Sequence, residues 1–198
     1  MFSIALRRSA MMAATRGGGI TSKAFSTQAM AQVEAVEELC KNFNWADIRD
    51  EVKEIRQILN EPKTNKAIHI PEDISAFEQL VVNNMTDLQS MLSGNRANHD
   101  EVYNKAHGLK GEVKTALYRF AFTSALNVAN ATEKQLEETF KKIDFFNTGH
   151  ITKSELRNFM KTMPQEHFDE MFSMIDVDGN GTMELDEFKR FVNMIWDN

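Results

Sequence analysis

Residues 176–187 read Asp-Val-Asp-Gly-Asn-Gly-Thr-Met-Glu-Leu-Asp-Glu, and this dodecapeptide decides the fold of the C-terminal part of the chain. Oxygen-bearing side chains stand at its first, third, fifth, ninth and twelfth positions, and a glycine stands at the sixth. Ca2+ is a hard cation that takes about 6–8 oxygen ligands, and a twelve-residue loop with this order of side chains supplies them. The spacing therefore predicts a calcium site rather than an acidic surface turn.

The expected ligands follow from the position of each residue in this loop. The predicted set combines three early side chains, one backbone carbonyl and one bidentate carboxylate, and it is Asp176, Asp178, Asn180, Thr182 (through its carbonyl) and Glu187. Glu184 is expected to bind directly or through a water molecule. Gly181 allows the positive φ that the turn requires, because it has no Cβ.

Apolar residues recur at helical spacing on both sides of the loop. Phe168 and Phe172 precede it, and Phe188 and Phe191 follow it. The loop is therefore predicted to join two amphipathic helices, each with an apolar face that must be buried in the folded protein.

A second unit of the same kind lies upstream. It opens with a capping box that begins at Thr132, and its loop is residues 144–155. The two units, residues 132–198 together, resemble the EF-hand family, in which helix–loop–helix units come in pairs. The resemblance implies Ca2+ as the cofactor. It also implies a short two-stranded contact between the eighth positions of the loops, which are Ile151 and Met183.

The first loop, residues 144–155, is predicted to be empty or weak. Its third position is Phe146, which has no oxygen to offer, and only its first and twelfth positions carry a negative charge. Calcium affinity follows the number and charge of the ligands, and the second loop offers more carboxylates. The candidate ligands of the weak site are Asp144, Thr148, His150 and Glu155. The expected role of this loop is to pair with its neighbour and rigidify it.

Residues 1–28 differ in composition from the rest of the chain. They contain no acidic residue, and their basic residues are Arg7, Arg8, Arg16 and Lys23. An arginine-rich, serine-containing and acid-free N-terminus is typical of a mitochondrial transit peptide, whereas a secretory signal needs an uninterrupted apolar core. The predicted location is the mitochondrion, in the matrix or facing it, and a plastid is the lesser alternative.

The remaining chain is acidic. Without the four basic residues of 1–28, the 23 basic residues of the chain become 19 against 29 acidic residues, a net charge of −10. This charge disfavours nucleic acid and anionic lipid as partners. The longest uncharged run, residues 120–132, is shorter than the roughly 17–25 residues that a membrane-spanning helix needs. No transmembrane segment is predicted, and a peripheral place in a membrane complex stays open.

Residues 29–131 are predicted to be helical and show no resemblance to a known family. The pattern predicts a break over residues 60–65, and a later helix that bends or breaks at Gly108 and Gly111. Residues 117–128 are apolar on more than one face. This stretch is therefore expected to be either central in the fold or covered by a partner.

The fold class predicted from these observations is all-α, with an N-terminal helical segment followed by a C-terminal EF-hand pair. The predicted function is Ca2+ binding at one strong site in a mitochondrial calcium-responsive protein that docks a helix, either its own or that of a protein partner. The alternative is an accessory structural subunit of a larger, respiratory-type mitochondrial complex, in which Ca2+ only stabilises the C-terminal domain. No residue is predicted to be catalytic, because the sequence has no nucleophile elbow, phosphate-binding glycine loop or zinc motif.

Overall fold

The described part of the chain comprises residues 25–43, 45–64, 70, 74–94 and 97–193 of a computed structural model. Within these ranges the regular structure is α1 (Thr27–Cys40), α2 (Ala46–Thr64), α3 (Ser75–Ser93), α4 (His99–Leu126), α5 (Glu133–Ile143), β1 (His150–Thr152), α6 (Lys153–Phe159), α7 (Gln165–Ile175), β2 (Thr182–Glu184) and α8 (Leu185–Val192). The all-α prediction is confirmed. None of the described helices combines the length and the hydropathy needed to cross a membrane.

The predicted transit peptide lies almost wholly outside the described residues, which begin at Phe25. The Phe25 side chain is buried, and its ring centroid lies 5.6 Å from that of Phe77 in α3. The Ser26 hydroxyl accepts a hydrogen bond from the Ala29 backbone N–H at 3.3 Å and so caps α1. Helix α1 and its cap therefore already occupy the last residues of the predicted 1–28 segment.

The first four helices pack into one bundle. Helix α2 packs against α1 and α4, and α3 packs against the same two helices, so that the contacts close a ring. Fully buried side chains line the inside of this ring, among them Val33, Val36, Ile48, Val52, Ile55, Val81, Met85, Leu88 and Val102. Each side chain of this size contributes about 1.5–3 kcal/mol when it is fully buried, so their burial is the main source of the bundle's stability.

Helix α2 extends through Thr64, so the predicted break over residues 60–65 is wrong as far as the chain is described. Pro62 lies in the last turn, where its missing N–H removes the hydrogen bond to the carbonyl four residues earlier. The Asn60 side chain donates to the Arg56 carbonyl at 2.9 Å, and Pro62 itself is buried. Packing of this turn therefore outweighs the local preference of proline.

Helix α4 is continuous from His99 to Leu126, so of the bend or break predicted at Gly108 and Gly111 the break is wrong. Both glycines lie on the exposed side of the helix, where a Cβ would have no neighbour within 4 Å. A glycine in a helix costs about 1 kcal/mol relative to alanine. Ala106, Leu109 and Val113 on the opposite side are buried in the bundle, and their packing holds the helix together.

Two helix–strand–helix units follow, here called the first hand (α5–β1–α6, residues 133–159) and the second hand (α7–β2–α8, residues 165–192). The predicted capping box at Thr132 is confirmed, with its hydroxyl and the Gln135 side chain bonded reciprocally to the backbone. The strands pair antiparallel, with Ile151 opposite Met183, as predicted. Both of these side chains are fully buried and join the apolar faces of the two hands.

Helix α4 contributes to both hydrophobic cores of the described fold. Phe120 belongs to the core of the bundle, whereas Leu117, Tyr118 and Phe122 belong to the core of the two hands. The second half of α4 is therefore buried on more than one face by the chain itself. Of the two alternatives predicted for this stretch, the central position in the fold is the one observed.

Candidate metal centre

Three carboxylates of the second loop converge on one point. One oxygen each from Asp176, Asp178 and Glu187 lies within 4.8 Å of the other two, and no other group of three or more His, Cys, Asp or Glu side chains does so within the described residues. Oxygens that bind one Ca2+ at about 2.3–2.6 Å lie at most about 5 Å apart. The side chains present therefore fit a single Ca2+ ion.

The loop backbone holds the first of these carboxylates in place. Asp176 ends α7, and its two oxygens accept hydrogen bonds from the Asn180 N–H at 3.0 Å and the Gly181 N–H at 2.9 Å. Asp178 accepts a second bond from the same Asn180 N–H at 3.1 Å. These bonds need a tight turn, and Gly181 makes it with a φ of +84°, as the sequence predicted.

Glu187 closes the loop from the first turn of α8. It is 8% exposed, and its oxygens accept hydrogen bonds from the Val177 N–H at 2.8 Å and the Glu184 N–H at 3.1 Å. Burial and the neighbouring Glu184 carboxylate raise the pKa of Glu187. A divalent cation bound between these groups would offset both effects, because it favours the ionised carboxylates.

Asn180, Thr182 and Glu184 form a polar network on the other side of the loop. The Asn180 amide nitrogen donates to Glu184 at 3.0 Å, and its carbonyl oxygen accepts from the Thr182 N–H at 2.8 Å. The Thr182 hydroxyl donates to the same Glu184 oxygen at 3.0 Å. All the predicted ligand residues thus lie in one loop, and among its predicted carboxylates Glu184 lies outside the converging group.

The first loop binds its own carboxylates to its own backbone. Asp144 accepts hydrogen bonds from the Thr148 N–H at 2.9 Å and the Gly149 N–H at 2.8 Å, and Glu155 accepts from the Thr152 N–H at 2.8 Å. Burial opposes ionisation of both acids, yet these hydrogen bonds keep the pKa of each below its ordinary value. The two charges are therefore already stabilised by the loop.

The remaining candidates in the first loop bond to one another and to Asp144, since the Thr148 hydroxyl also lies 3.2 Å from an Asp144 oxygen. The Thr148 hydroxyl donates to the His150 carbonyl at 2.9 Å, which occupies the backbone oxygen that was predicted as a ligand. Phe146, at the third position, is 73% exposed and packs edge-on against Phe145, with ring centroids 5.4 Å apart. Asp144 and Glu155 thus lack the third carboxylate that the second loop has.

Comparison with known proteins identifies the two hands. Residues 133–193 match a family model described as an EF-hand domain pair. Residues 133–193 are therefore an EF-hand domain pair. Ca2+ is the cofactor of this pair, in agreement with the fit of the second loop to one ion.

Relatives of the EF-hand pair come from animals, plants and amoebae. Troponin C isoform 2 of Caenorhabditis elegans is 35% identical over 65 residues, which are 31% of this chain and 41% of the relative. Calmodulin-like protein 2 of Arabidopsis thaliana is 36% identical over 58 residues, 27% of this chain and 38% of the relative. A recoverin family protein of Dictyostelium discoideum is 31% identical over 100 residues, 35% of this chain and 44% of the relative. The chain therefore spans less than half the length of these relatives, and no solved structure gives a significant match.

Helix α4 packs along the apolar side of the EF-hand pair. The Phe122 ring lies between those of Phe188 and Phe191, with centroid distances of 5.7 and 5.2 Å. The Tyr118 hydroxyl donates to a Glu170 oxygen at 2.8 Å, and burial together with this bond raises the pKa of Tyr118. The second hand is thus joined to α4 by both aromatic packing and a partly buried hydrogen bond.

A charged contact in the same interface was not foreseen from the sequence. The Arg119 side chain donates from Nε and Nη2 to the Val192 carbonyl at 2.9 and 2.7 Å. Arg119 is the only charged residue between Lys114 and Glu133. A single charge within an apolar stretch usually has a specific partner, so the isolated position of Arg119 in the sequence could have indicated such a contact.

Proposed function

We propose that this protein is a non-catalytic, calcium-responsive protein of the mitochondrion with one strong calcium site. The observation that carries the proposal is the convergence of Asp176, Asp178 and Glu187 in a hand that packs directly on α4. Relatives named troponin C and calmodulin-like protein support a regulatory role rather than a catalytic one.

The second loop is the site that binds the ion in this proposal. Its ligands are side-chain oxygens and one backbone carbonyl, from Asp176, Asp178, Asn180, Thr182 and Glu187, with Glu184 bound directly or through water. The first loop binds Ca2+ weakly or not at all, because Phe146 at its third position offers no oxygen, whereas three carboxylates converge in the second loop. Its contribution is the strand contact that stiffens the second loop.

The helix docked by the EF-hand pair is the second half of α4 in this proposal. Phe122 fills the space between Phe188 and Phe191, a position that a helix from a partner protein would otherwise take. Because the first half of α4 belongs to the bundle, a change in the packing of the pair reaches residues 29–131 through one continuous helix. The bundle and the pair, residues 132–198, act as two domains that share this helix.

The mitochondrial location rests on the composition of residues 1–28, which are basic and free of acids. Import of the full chain into isolated mitochondria, followed by N-terminal sequencing of the protease-protected product, tests it. We expect a product that begins close to Phe25, where the α1 cap starts. A protein that stays accessible to protease, with its N-terminus intact, would contradict the proposal.

The calcium function is tested by calorimetric titration of the full chain with CaCl2, with two optical signals followed in parallel. Trp45 is stacked on Phe43 at 4.7 Å in the bundle, so Trp196→Phe leaves one tryptophan that reports on the bundle. A hydrophobic dye reports apolar surface. One site together with a change in Trp45 emission or dye binding supports a calcium-responsive protein. No calcium binding overturns the proposal.

A second candidate is the accessory structural subunit, in which Ca2+ only stabilises the pair and the protein sits peripherally in a larger mitochondrial complex. The dense packing of α4 on the second hand favours it, because an apolar face that is already covered has little left to expose. In the same titration, one site with no change in dye binding or Trp45 emission supports this candidate over the first.

A further inference from the structure

Arg119 stabilises the end of the helix that carries Glu187. Helix α8 ends at Val192, and carbonyls in the last turn of a helix lack partners within the helix. The Arg119 guanidinium supplies two donors to one of them, at 2.9 and 2.7 Å, and places a positive charge at the negative end of the helix dipole. The contact joins residues 73 positions apart in the chain.

Helix α8 is short enough to transmit this contact to the calcium loop. It has 8 residues, which correspond to about 12 Å of rigid helix, and Glu187 lies in its first turn. A tilt of α8 at Val192 therefore moves the Glu187 carboxylate relative to Asp176 and Asp178, which are fixed to the end of α7 and to the loop.

The residue next to Arg119 holds the other helix of the same hand. The Tyr118 hydroxyl and the Lys114 ammonium both bind Glu170 of α7, at 2.8 and 2.6 Å. Two adjacent residues of α4 thus fix the entry helix and the exit helix that flank the second loop. The angle between these two helices determines how closely Glu187 approaches the other carboxylates.

The first hand offers a matched arginine without this connection. Arg157 donates to the carbonyls of Met160 and Met163 at 3.1 and 2.7 Å, and both acceptors follow its own helix α6. Arg157 therefore also satisfies carbonyls beyond a helix end, but without α4 or α8, and its guanidinium lies 5.0 Å from the centroid of the Phe168 ring in α7.

We propose that Arg119 is a positioning residue for the calcium site, which it tunes through α8 and Glu187 without touching the ion. The proposal rests on the proposed function, because it assumes that the second loop binds Ca2+. In consequence, the calcium affinity of the second loop depends on the docking of α4, and calcium binding strengthens that docking in return.

The experiment is a calorimetric CaCl2 titration of the full chain as wild type, Arg119→Met, Arg119→Lys and Arg157→Met. We expect Arg119→Met to raise the Kd about tenfold. The free energy of this change is only part of the stabilisation that charge-assisted hydrogen bonds contribute. Arg119→Lys should raise it less, because an ammonium can still donate to the Val192 carbonyl. Arg157→Met should change the Kd by less than about twofold, since its effect on the second loop is indirect.

Thermal unfolding with Ca2+ and with a chelator separates positioning from simple stabilisation. If Arg119 only stabilises the fold, Arg119→Met lowers the Tm by the same amount in both conditions. If it positions the site, the rise in Tm that Ca2+ produces also shrinks, because that rise follows the calcium affinity. Should Arg119→Met fail to fold, Arg119→Gln, which keeps one donor, is measured in the same way.

Each result has one meaning. A raised Kd for the Arg119 variants, with partial rescue by lysine and little effect of Arg157→Met, supports the inference. A wild-type Kd in the Arg119 variants, or an equal loss in Arg157→Met, overturns it while leaving the proposed function intact. Absence of calcium heat in the wild type overturns the proposed function itself.

Discussion

The two hands of this protein hold the first and last acids of their loops with the same backbone hydrogen bonds, and they differ at the third loop position. The first hand buries its two loop acids, Asp144 and Glu155, against its own backbone and leaves Phe145 and Phe146 in solvent. The second hand directs three acids towards one another and buries its aromatic residues against α4. Both hands have the same order of elements and share one strand pair. The difference therefore comes from individual side chains rather than from the fold.

What this teaches is that a loop of the right length is not sufficient for a metal site. A carboxylate that already accepts two or three backbone hydrogen bonds is stabilised as an anion without any cation. Both loops supply such bonds to their first and last acids, so the difference lies at the third position, where the first loop has a phenylalanine. In the second loop Asp178 at that position adds the charge that makes a cation favourable.

The largest effect is expected where the second hand meets α4. Phe122 is fully buried between Phe188 and Phe191, so Phe122→Ala removes a ring and leaves a cavity. We expect a loss of about 3–5 kcal/mol in the free energy of unfolding, measured by urea denaturation. Phe159→Ala in the first hand is the control, because Phe159 is 47% exposed, and it should cost about 0.5 kcal/mol. Equal losses in the two variants would remove this contrast between the hands.

The next effect concerns the acid that ends each loop. Glu187→Gln removes a buried, charged ligand, and we expect calcium affinity to fall by about two orders of magnitude, as when one partner of a buried charge pair is lost. Glu155→Gln, at the same position of the first loop, should leave the affinity of the strong site nearly unchanged. Calorimetry on both variants measures their calcium affinities, and comparable losses of affinity would contradict a single strong site.

The sequence predicted those features that depend on local spacing. The second loop and the capping box at Thr132 were accessible because each follows from positions within a dozen residues, whereas the pairing of Ile151 with Met183 was expected from the resemblance to the EF-hand family. The sequence did not predict that α2 continues beyond residue 60 or that α4 continues through its glycines. Burial against distant helices overrides local propensity at both places.

The same limit applies to the candidate site. The acids of the second loop could be named from their order, but their hydrogen bonds could not. In the first loop, the small number of charged side chains was visible, whereas the hydrogen bonds from Thr148 and Gly149 to Asp144 needed three-dimensional geometry. The bond from Arg119 to the Val192 carbonyl was equally hidden, because no periodic pattern links residues so far apart.

A variant designed to bind Ca2+ in the first loop also tests the comparison between the two hands. Phe146→Asp places a carboxylate at the third position, between Asp144 and Glu155, and Phe146 is exposed enough for the change to cost little stability. We expect calorimetry to show a second, weaker calcium-binding event, because affinity rises with the number of charged ligands.

Phe145→Asp is the matched control for this gain. It adds the same charge one residue earlier, at a position that is not a ligand in such loops, and Phe145 is 82% exposed. The control should show only the original binding event. A second event in both variants would mean that added charge alone, and not its position, produces the gain.

The smallest effect is expected at the cap that holds the Glu155 side chain. The Thr152 hydroxyl and N–H donate to one Glu155 oxygen at 2.6 and 2.8 Å and cap α6, so Thr152→Ala should cost about 1 kcal/mol of folding free energy. Because these bonds serve the first hand alone, the calcium affinity of the second loop should stay within about twofold of wild type. Urea denaturation and calorimetry on the same variant check both statements. A large loss of calcium affinity without a loss of stability would show that the first loop takes part in binding, since its acids would then be acting as ligands rather than as caps.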